Sequence, residues 1–101
     1  MITTYVENWP KLDQRLHYVT FLEINDRCWA DMPWYWKVMG GIALACTHVD
    51  FEAGTCDVYV TSGSPPFIVD HEIEHCHGGD HDGTLRDALG RWKERRLARS
   101  S

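Results

Sequence analysis

The segment HEIEHCHGGDH, residues 71–81, constrains the fold of this chain more than any other stretch of its sequence. Residues four apart in an α-helix lie on one face, about one turn apart, so a helix here would place the imidazoles of His71 and His75 side by side. Gly78 and Gly79 follow, and glycine accepts the positive φ at which helices commonly end. We therefore predict a helix that presents a histidine pair on one face and ends at the two glycines.

The residues ahead of this segment predict where the helix begins and how it packs. Ser64 followed by Pro65 is a typical helix start, with a serine cap and a proline in the first turn. The helix should therefore run from Pro65 to about His77. At about 100° per residue, an apolar stripe lies opposite the histidine pair and should face the core. Its members are Val69, Ile73 and Cys76.

Strands and a second helix are predicted around this histidine helix. Residues 42–51 and 56–61 are rich in β-branched and apolar side chains, and the turn-forming residues 52–55 separate them, so a β-hairpin is expected. Thr84 is expected to cap a C-terminal helix. That helix should support the fold through an apolar stripe made of Leu85, Ala88, Leu89, Trp92 and Leu97.

The N-terminal part of the chain predicts further short elements. The sequence Asn8-Trp9-Pro10 indicates a helix start, with a short helix to about Leu16. Residues 17–24 are rich in β-branched and aromatic side chains and predict a strand, and residues 28–39 predict a loop with a short helix. The length suits a single domain, 1–101. The expected fold class is α+β: a small antiparallel sheet, the histidine helix and a supporting C-terminal helix.

The composition favours a folded chain in aqueous solution. Hydrophobic residues make up 44% and aromatic residues 12% of the sequence, enough to build a modest core. No apolar stretch approaches the roughly 18 residues that a membrane span requires. The first residues, MITTYVE, lack the charged and apolar regions of a secretory signal. We therefore expect a cytoplasmic protein with no membrane partner.

The four cysteines of the chain include no C-x-x-C pair; they are Cys28, Cys46, Cys56 and Cys76. An even count in a short chain is compatible with two disulfides, and Cys46 and Cys56 could face each other across the predicted hairpin. Because no secretory signal precedes them, free thiols are the expected state.

The charge of the chain is unevenly distributed. The net charge is −5, but from Arg86 to the end there are six basic residues and two acidic ones. A basic run of this kind can contact phosphates or an acidic partner, although most such runs are solvated helix faces. We do not expect nucleic-acid binding.

A histidine pair one helical turn apart is a metal-binding arrangement. His71 and His75 would bind Zn²⁺ through imidazole nitrogens at roughly 2.0–2.1 Å and leave positions for a third ligand and a water. Glu72, next to the first histidine, is placed to accept a proton from that water. The alternative is a solvated, histidine-rich helix end without a metal.

In full, the segment has the form H-E-x-x-H-x-x-G-x-x-H, which resembles the zinc signature of the metzincin metallopeptidases within the larger zincin group. The resemblance implies a minimal zincin-like domain in which His81 is the third zinc ligand and Glu72 is the general base for peptide-bond hydrolysis. It covers about a tenth of the chain. No methionine follows Met39, whereas metzincins have a methionine-containing turn after the third histidine.

Several carboxylates are alternative candidates for the third ligand. Glu94 lies 19 residues after His75 on the predicted C-terminal helix, a spacing that resembles the thermolysin-like gluzincins. Asp80, Asp82 and Asp87 lie closer to the histidine pair in the sequence.

The sequence thus predicts a zinc-dependent metallopeptidase that acts on a peptide or protein substrate. The hairpin of residues 42–61 is the candidate edge for backbone pairing with an extended substrate. The alternative function is a non-catalytic zinc-binding protein that acts by docking a protein partner. His48 and Tyr59 lie on the predicted strands, and ordinary packing is expected of them rather than a role as oxyanion donors.

Overall fold

A three-stranded sheet lies between two helices in the computed structural model, which describes residues 2–31 and 45–100. The elements are β1 (Thr4–Tyr5), β2 (Asp13–Tyr18), α1 (Phe21–Cys28), a 3₁₀ turn (Trp29–Asp31), β3 (Ala45–Asp50), β4 (Thr55–Val60), α2 (Pro66–Cys76), β5 (Gly79–Asp80) and α3 (Thr84–Ser100). The predicted α+β class is confirmed. The predictions for residues 28–39 and 42–51 fall partly outside the described residues.

The predicted β-hairpin forms two of the three strands of the larger sheet. β3 and β4 pair antiparallel, with Ala45 opposite Val60, and Gly54 supplies the positive φ of 71° that the turn requires. β2 pairs with β4 in parallel, so the strand order is β2–β4–β3 and the sheet is mixed. The prediction of purely antiparallel pairing is therefore wrong. Parallel partners are joined by a long crossover, which local sequence does not reveal.

Side chains of β4 alternate between the two faces of the sheet, and each face packs against a different helix. On the first face, the buried residues of β4 pack against the apolar stripe predicted for the histidine helix. This cluster comprises Cys56, Val58, Val60, Val69, Ile73 and Cys76. On the second face, Tyr59 packs beside Ile24 and Cys28 of α1. The predicted core stripe of the histidine helix is thereby confirmed.

Two N-terminal predictions are wrong. The residues predicted to form a helix up to Leu16 include β2, because their backbone pairs in parallel with β4. The strand predicted over 17–24 is wrong beyond its first two residues: His17 and Tyr18 end β2, but α1 starts at Phe21 because Thr20 caps it by accepting the backbone N–H of Glu23. Strand pairing and a helix cap thus override the local composition on which both predictions rested.

All four cysteines are in disulfide bonds, Cys28 with Cys46 and Cys56 with Cys76. The expectation of free thiols is therefore wrong, and so is a bridge between Cys46 and Cys56. These two residues lie on neighbouring strands, but Cys56 stands opposite Val49, three residues from Cys46. The odd offset turns their side chains to opposite faces of the sheet. One disulfide ties α1 to β3, and the other ties β4 to the end of α2.

The histidine helix, α2, ends at the predicted glycine, but the predicted serine cap at its start is absent. Gly78 has a φ of 89°, which confirms the glycine exit. Pro65 occupies the N-cap position without a side-chain cap. The hydroxyl of Ser64 instead accepts the backbone N–H of Thr61 in the preceding loop. The helix begins at Pro66, whose restricted φ suits the first helical position.

The C-terminal helix, α3, begins at Thr84, which is its first residue rather than the predicted cap, and the N–H of Thr84 donates to the carboxylate of Asp82. Trp92 stacks on Phe51 at a ring-centroid distance of 5.5 Å, and this contact helps to hold α3 against the rest of the fold. Leu97 is 71% exposed, so the predicted apolar stripe ends before it. Among the described residues, no helix combines the length and the apolar character needed to cross a membrane.

Candidate metal centre

Three imidazole rings meet beside the end of α2, and we call them the metal cluster. His71 and His75 come from α2, one turn apart, and His81 directly follows β5. One nitrogen of each ring lies within 4.8 Å of the others. The ring centroids are 4.7 Å apart for His71 and His75, and 5.1 Å apart for His75 and His81. The three rings are close enough to hold one metal ion together.

A hydrogen bond determines which nitrogen of His75 faces the other rings. Nδ1 of His75 lies 2.7 Å from the carbonyl oxygen of Gly79, and a carbonyl only accepts, so Nδ1 carries the proton. In the neutral ring, Nε2 then presents a lone pair, 3.2 Å from Nε2 of His71. Hydrogen bonds of this kind orient metal-binding histidines in known metal sites.

The spacing of the His71 and His75 nitrogens fits a tetrahedral metal ion. Because Zn–N bonds are about 2.0–2.1 Å long, two nitrogens of a tetrahedral site lie about 3.3 Å apart. The 3.2 Å between the Nε2 atoms of His71 and His75 matches this spacing, and His81 completes the set within 4.8 Å. Imidazole donors suit zinc and several other first-row transition metals. The residues present therefore fit a metal of this class.

Burial favours the neutral form of His71, which is the form that binds metals. Desolvation lowers the pKa of His71 below its ordinary value of 6.5, and repulsion from a charged His75 lowers it further. The carboxylate of Glu72 acts in the opposite direction and raises the pKa in part. Because a ligand must lose its proton before it binds a metal, the net effect favours metal binding at neutral pH.

A buried carboxylate holds the loop that carries His81. Asp80 is only 3% exposed, and its Oδ1 accepts the backbone N–H groups of His81 and Asp82 at 2.9 and 3.4 Å. Its Oδ2 accepts the N–H of Arg86 at 3.3 Å. β5 precedes the loop and pairs antiparallel with β1. Asp80 therefore orders the loop, a role the sequence did not suggest, and its oxygens are already used by backbone donors.

The other carboxylates proposed as alternative third ligands are also outside the metal cluster, within the part of the chain that the structure describes. Asp82 accepts the N–H of Thr84, and backbone and side-chain hydrogen bonds with that residue lower the pKa of Asp82. Asp87 pairs with Arg86 at 3.4 Å. Glu94 lies along α3 and does not join the cluster. The structure brings His81, and none of these carboxylates, to the histidine pair.

Glu72 lies in the same cavity as two of the three histidines. This cavity, of about 460 Å³, is lined by Glu72, His75 and His81 together with Thr47 of β3. The hydroxyl of Thr47 donates to Oε2 of Glu72 at 2.6 Å and also lies 2.9 Å from the carbonyl oxygen of Glu72. Thr47 thus holds the carboxylate on the β3 side of the cavity. No sequence pattern pointed to Thr47, because its contact depends on how the hairpin lies against α2.

The N-terminal segment packs against the end of α2 and is hydrogen-bonded to it. The sequence did not predict this contact. Nε1 of Trp9 donates to the carbonyl oxygen of Cys76 at 2.8 Å, and the hydroxyl of Tyr5 donates to Glu74 at 2.6 Å. The Trp9 ring also covers Gly78, where a Cβ would fall 2.9 Å from its Cγ. These residues are 67 and 69 positions from their hydrogen-bond partners, so no local signal announces the contacts.

A second set of histidines, the sheet histidine group, lies on the sheet face opposite α2. Nε2 of His17 is 2.7 Å from Asp57, which also pairs with Arg15 at 2.9 Å. His17 stacks on Tyr59 at 4.8 Å, and His48 contacts the same ring at 5.4 Å. Burial raises the pKa of Asp57, but hydrogen bonds and charges from His17 and Arg15 outweigh it and hold that pKa below 3.8. His48 and Tyr59 therefore pack within this group.

Comparison with models of protein families, with curated proteins and with solved structures finds no match to this chain. The resemblance to the zincins stays a prediction that rests on residues 71–81.

Proposed function

We propose that this protein is a zinc-dependent metallopeptidase. The observation that carries the proposal is the convergence of His71, His75 and His81 within 4.8 Å, with Glu72 lining the cavity that His75 and His81 share. Three imidazoles leave one tetrahedral position for water or substrate, which is typical of catalytic rather than structural zinc sites. A zinc ion held by His71, His75 and His81 would supply a water whose pKa is lowered to about 7 and a Lewis acid for a substrate carbonyl.

Glu72 is the general base in this proposal. A carboxylate next to the first histidine accepts the proton of the attacking water and passes it to the departing amine. The hydroxyl of Thr47 donates a hydrogen bond to Oε2 of Glu72, which leaves Oε1 without this hydrogen bond and able to take up the transferred proton. Thr47 is a positioning residue, because it acts through Glu72.

The substrate in this proposal is an extended peptide beside β3. Within the described strands, β3 is the last member of the order β2–β4–β3 and pairs with β4 alone. An open strand edge pairs with an extended peptide through backbone hydrogen bonds. Because Thr47 of β3 contacts Glu72, a peptide on this strand lies next to the general base.

Metal content and turnover test the proposal together. The purified, oxidised protein should contain about one zinc ion per chain by elemental mass spectrometry and should cleave peptides of a quenched-fluorescence library. A chelator should remove zinc and abolish cleavage, and added zinc should restore both. Glu72→Gln should lower turnover by at least about 100-fold, because it removes the general base, and should leave the zinc content unchanged.

Glu74→Gln is the matched control for Glu72→Gln. Glu74 lies two positions further along the same helix, and its carboxylate accepts the hydroxyl of Tyr5 rather than that of Thr47. The control should retain zinc and turnover. Loss of zinc from the Glu72→Gln protein would contradict the assignment of the base. Zinc without cleavage by the unaltered protein would favour the alternative, a non-catalytic zinc-binding protein that docks a protein partner.

The two disulfides bear on where the protein works. Disulfides form and persist in oxidising compartments and are rare in the cytosol. The oxidised chain is therefore the working form in this proposal, in place of the cytoplasmic protein that the sequence led us to expect. Thiol labelling of the protein from its native source, followed by mass spectrometry, should find no labelled cysteine. Labelling of Cys28, Cys46, Cys56 and Cys76 would contradict the proposed compartment.

A further inference from the structure

A second cavity, of about 500 Å³, borders the metal cluster. His81 and Asp80 line it together with residues of β1 and of α3. His81 also lines the cavity that contains Glu72, so the two cavities meet at the third imidazole. A ligand in the second cavity therefore lies beside the proposed zinc site.

The wall that α3 contributes to this cavity is basic. Arg86 and Lys93 line the wall, and Gly90 between them faces open space, since a Cβ there would meet nothing within 4 Å. At about 100° per residue, positions 86, 90 and 93 fall on one face of the helix. Further along this face, Lys93 and Arg96 line a groove of about 300 Å³ beside the exposed Leu97. We call Arg86, Lys93 and Arg96 the basic stripe.

The basic stripe lies on an otherwise acidic molecule. α3 carries six basic and two acidic side chains, a net charge of +4, whereas the whole chain has a net charge of −5. The rest of the chain therefore has a net charge of −9. On another face of α3, Arg99 pairs with Glu52 of the hairpin turn. Within the basic stripe, Arg86 contacts the exposed Asp87 and the guanidinium of Arg96 lies over the Trp92 ring, and the stripe lines the second cavity and the groove. A localised cationic surface of this kind attracts anionic ligands to one place.

We infer that the basic stripe binds an acidic segment of the peptide substrate, with substrate carboxylates meeting Arg86 and Lys93 beside His81. The inference rests on the proposed function and adds the class of substrate: peptides with aspartate or glutamate near the cleaved bond. Guanidinium groups pair with carboxylates through two parallel hydrogen bonds, and the ammonium of Lys93 adds a point charge. The exposed Leu97 offers an apolar contact at the far end of the stripe.

A peptide suits this surface better than a nucleic acid does. Glu7 and the buried Asp80 line the same cavity as Arg86 and Lys93, and because backbone N–H groups surround Asp80, Glu7 is the carboxylate that an entering ligand meets. The cavity shares His81 with the cavity that contains Glu72, so the ligand that fills it is part of the peptide bound at the proposed zinc site rather than a separate nucleic acid. A peptide can place carboxylates on the stripe and a neutral or basic side chain opposite Glu7.

Direct binding to a protein that does not cleave its ligand tests the inference. Zinc-loaded Glu72→Gln protein is titrated into fluorescein-labelled oligoglutamate and oligoglutamine peptides of equal length, and fluorescence anisotropy is recorded. The oligoglutamate peptide should bind about tenfold more tightly than the oligoglutamine peptide, and added salt should weaken its binding. Combining Arg86→Gln with Lys93→Gln should weaken oligoglutamate binding about tenfold and leave oligoglutamine binding unchanged.

The matched control combines Arg91→Gln with Arg95→Gln. It makes the same change of charge on the same helix, but these positions lie on the side opposite the basic stripe. Its affinity for oligoglutamate should stay within about twofold of the parent protein, since exposed charges at a distance are screened by salt. Circular dichroism of both double variants checks that α3 is intact.

Three binding results would overturn the inference. They are equal affinity for the two peptides, equal weakening by the two double variants, and displacement of oligoglutamate by a lower concentration of single-stranded RNA. None of these measurements depends on turnover. If the unaltered protein cleaves peptides with no preference for acidic residues, the inference is contradicted, but the proposed peptidase function is supported. Selective oligoglutamate binding by a protein that cleaves nothing would contradict the peptidase and support the assigned ligand chemistry of the stripe.

Discussion

The metal cluster and the sheet histidine group use the same side chain on opposite sides of the sheet, with opposite electrostatic surroundings. In the metal cluster an imidazole nitrogen faces another imidazole nitrogen, at 3.2 Å for His71 and His75. In the sheet histidine group, the nitrogen of His17 faces a carboxylate oxygen of Asp57 at 2.7 Å. Lone pairs that face each other are stabilised by a shared cation, whereas an N–H group that faces a carboxylate already has its partner. The group that a histidine faces therefore indicates a metal site better than the number of histidines does.

The largest expected difference between the two histidine sets is in zinc affinity after one ring is removed from each. His75→Ala should lower zinc affinity by more than about 100-fold, because even the loss of an outer hydrogen bond to a ligand costs about 10- to 100-fold. His17→Ala removes a ring of equal size from the sheet histidine group and should bind zinc like the unaltered protein. Competition with a chromophoric chelator measures both affinities. Equal losses in the two variants would mean that zinc binds elsewhere.

Removal of either disulfide should lower the stability of the fold, but only one of the two removals should also lower the zinc affinity. The two disulfides join cysteines 18 and 20 positions apart, so replacing either pair by alanine should lower the free energy of unfolding by about 3 kcal/mol in the chain-entropy model. Cys76 directly follows His75, so removal of the Cys56–Cys76 bond should also weaken zinc binding. Removal of the Cys28–Cys46 bond should not. Urea unfolding and chelator competition supply the two readouts, and equal zinc affinity in both variants would show that α2 orients its histidines without this bond.

Thr47→Val tests the positioning of Glu72 with almost no change of volume. Loss of one hydrogen bond to the proposed base should lower kcat about tenfold, with KM and zinc content unchanged. Thr47→Ser keeps a hydroxyl and should restore most of the rate. His48→Ala is the control from the sheet histidine group, because His48 is the next residue of β3 and contacts Tyr59 on the other face. A Thr47→Val protein with full activity would remove Thr47 from the mechanism.

The smallest expected effect is the dependence of folding stability on acidic pH that Asp57 of the sheet histidine group causes. The pKa of Asp57 in the folded protein is below 3.8, so on acidification the unfolded chain binds the proton first. The stabilisation is present above about pH 4 and is lost as the pH falls through the folded-state pKa. Asp57→Asn should be less stable at neutral pH and should lose less stability between about pH 4 and pH 2. Urea unfolding at a series of pH values measures this, and identical slopes would contradict the assignment.

Local rules were sufficient for the parts of the fold that frame the metal cluster. The four-residue spacing of His71 and His75 and the glycine exit at Gly78 depend on helix geometry alone, and both are confirmed. The hairpin follows from two apolar runs around a turn, and it is confirmed as well. The resemblance predicted that His81 would return to the pair, and the structure places the three rings together. Their role as zinc ligands stays a prediction.

Contacts between distant parts of the chain were beyond those rules. β2 became a strand because β4 offers it a parallel partner more than forty residues later, and this partner overrides the helix-start signal at Pro10. Asp80 looked like a ligand in the sequence and orders a loop in the structure, because three backbone N–H groups surround it. Thr47 has no signature of any kind. Such roles depend on which distant segments of the chain pack together, and the spacing of residues in the sequence does not reveal this packing.

The opposed disulfides of the hairpin have a consequence for how the chain reaches its fold. Cys46 and Cys56 sit on neighbouring strands, yet their bonds leave in opposite directions, to Cys28 and to Cys76. A slip of one strand by a single residue would turn a sulfur away from its partner, since every side chain of that strand changes sides. Both disulfides can therefore form only when the strands pair in the native register. A chain with misaligned strands would keep free thiols, which can still exchange.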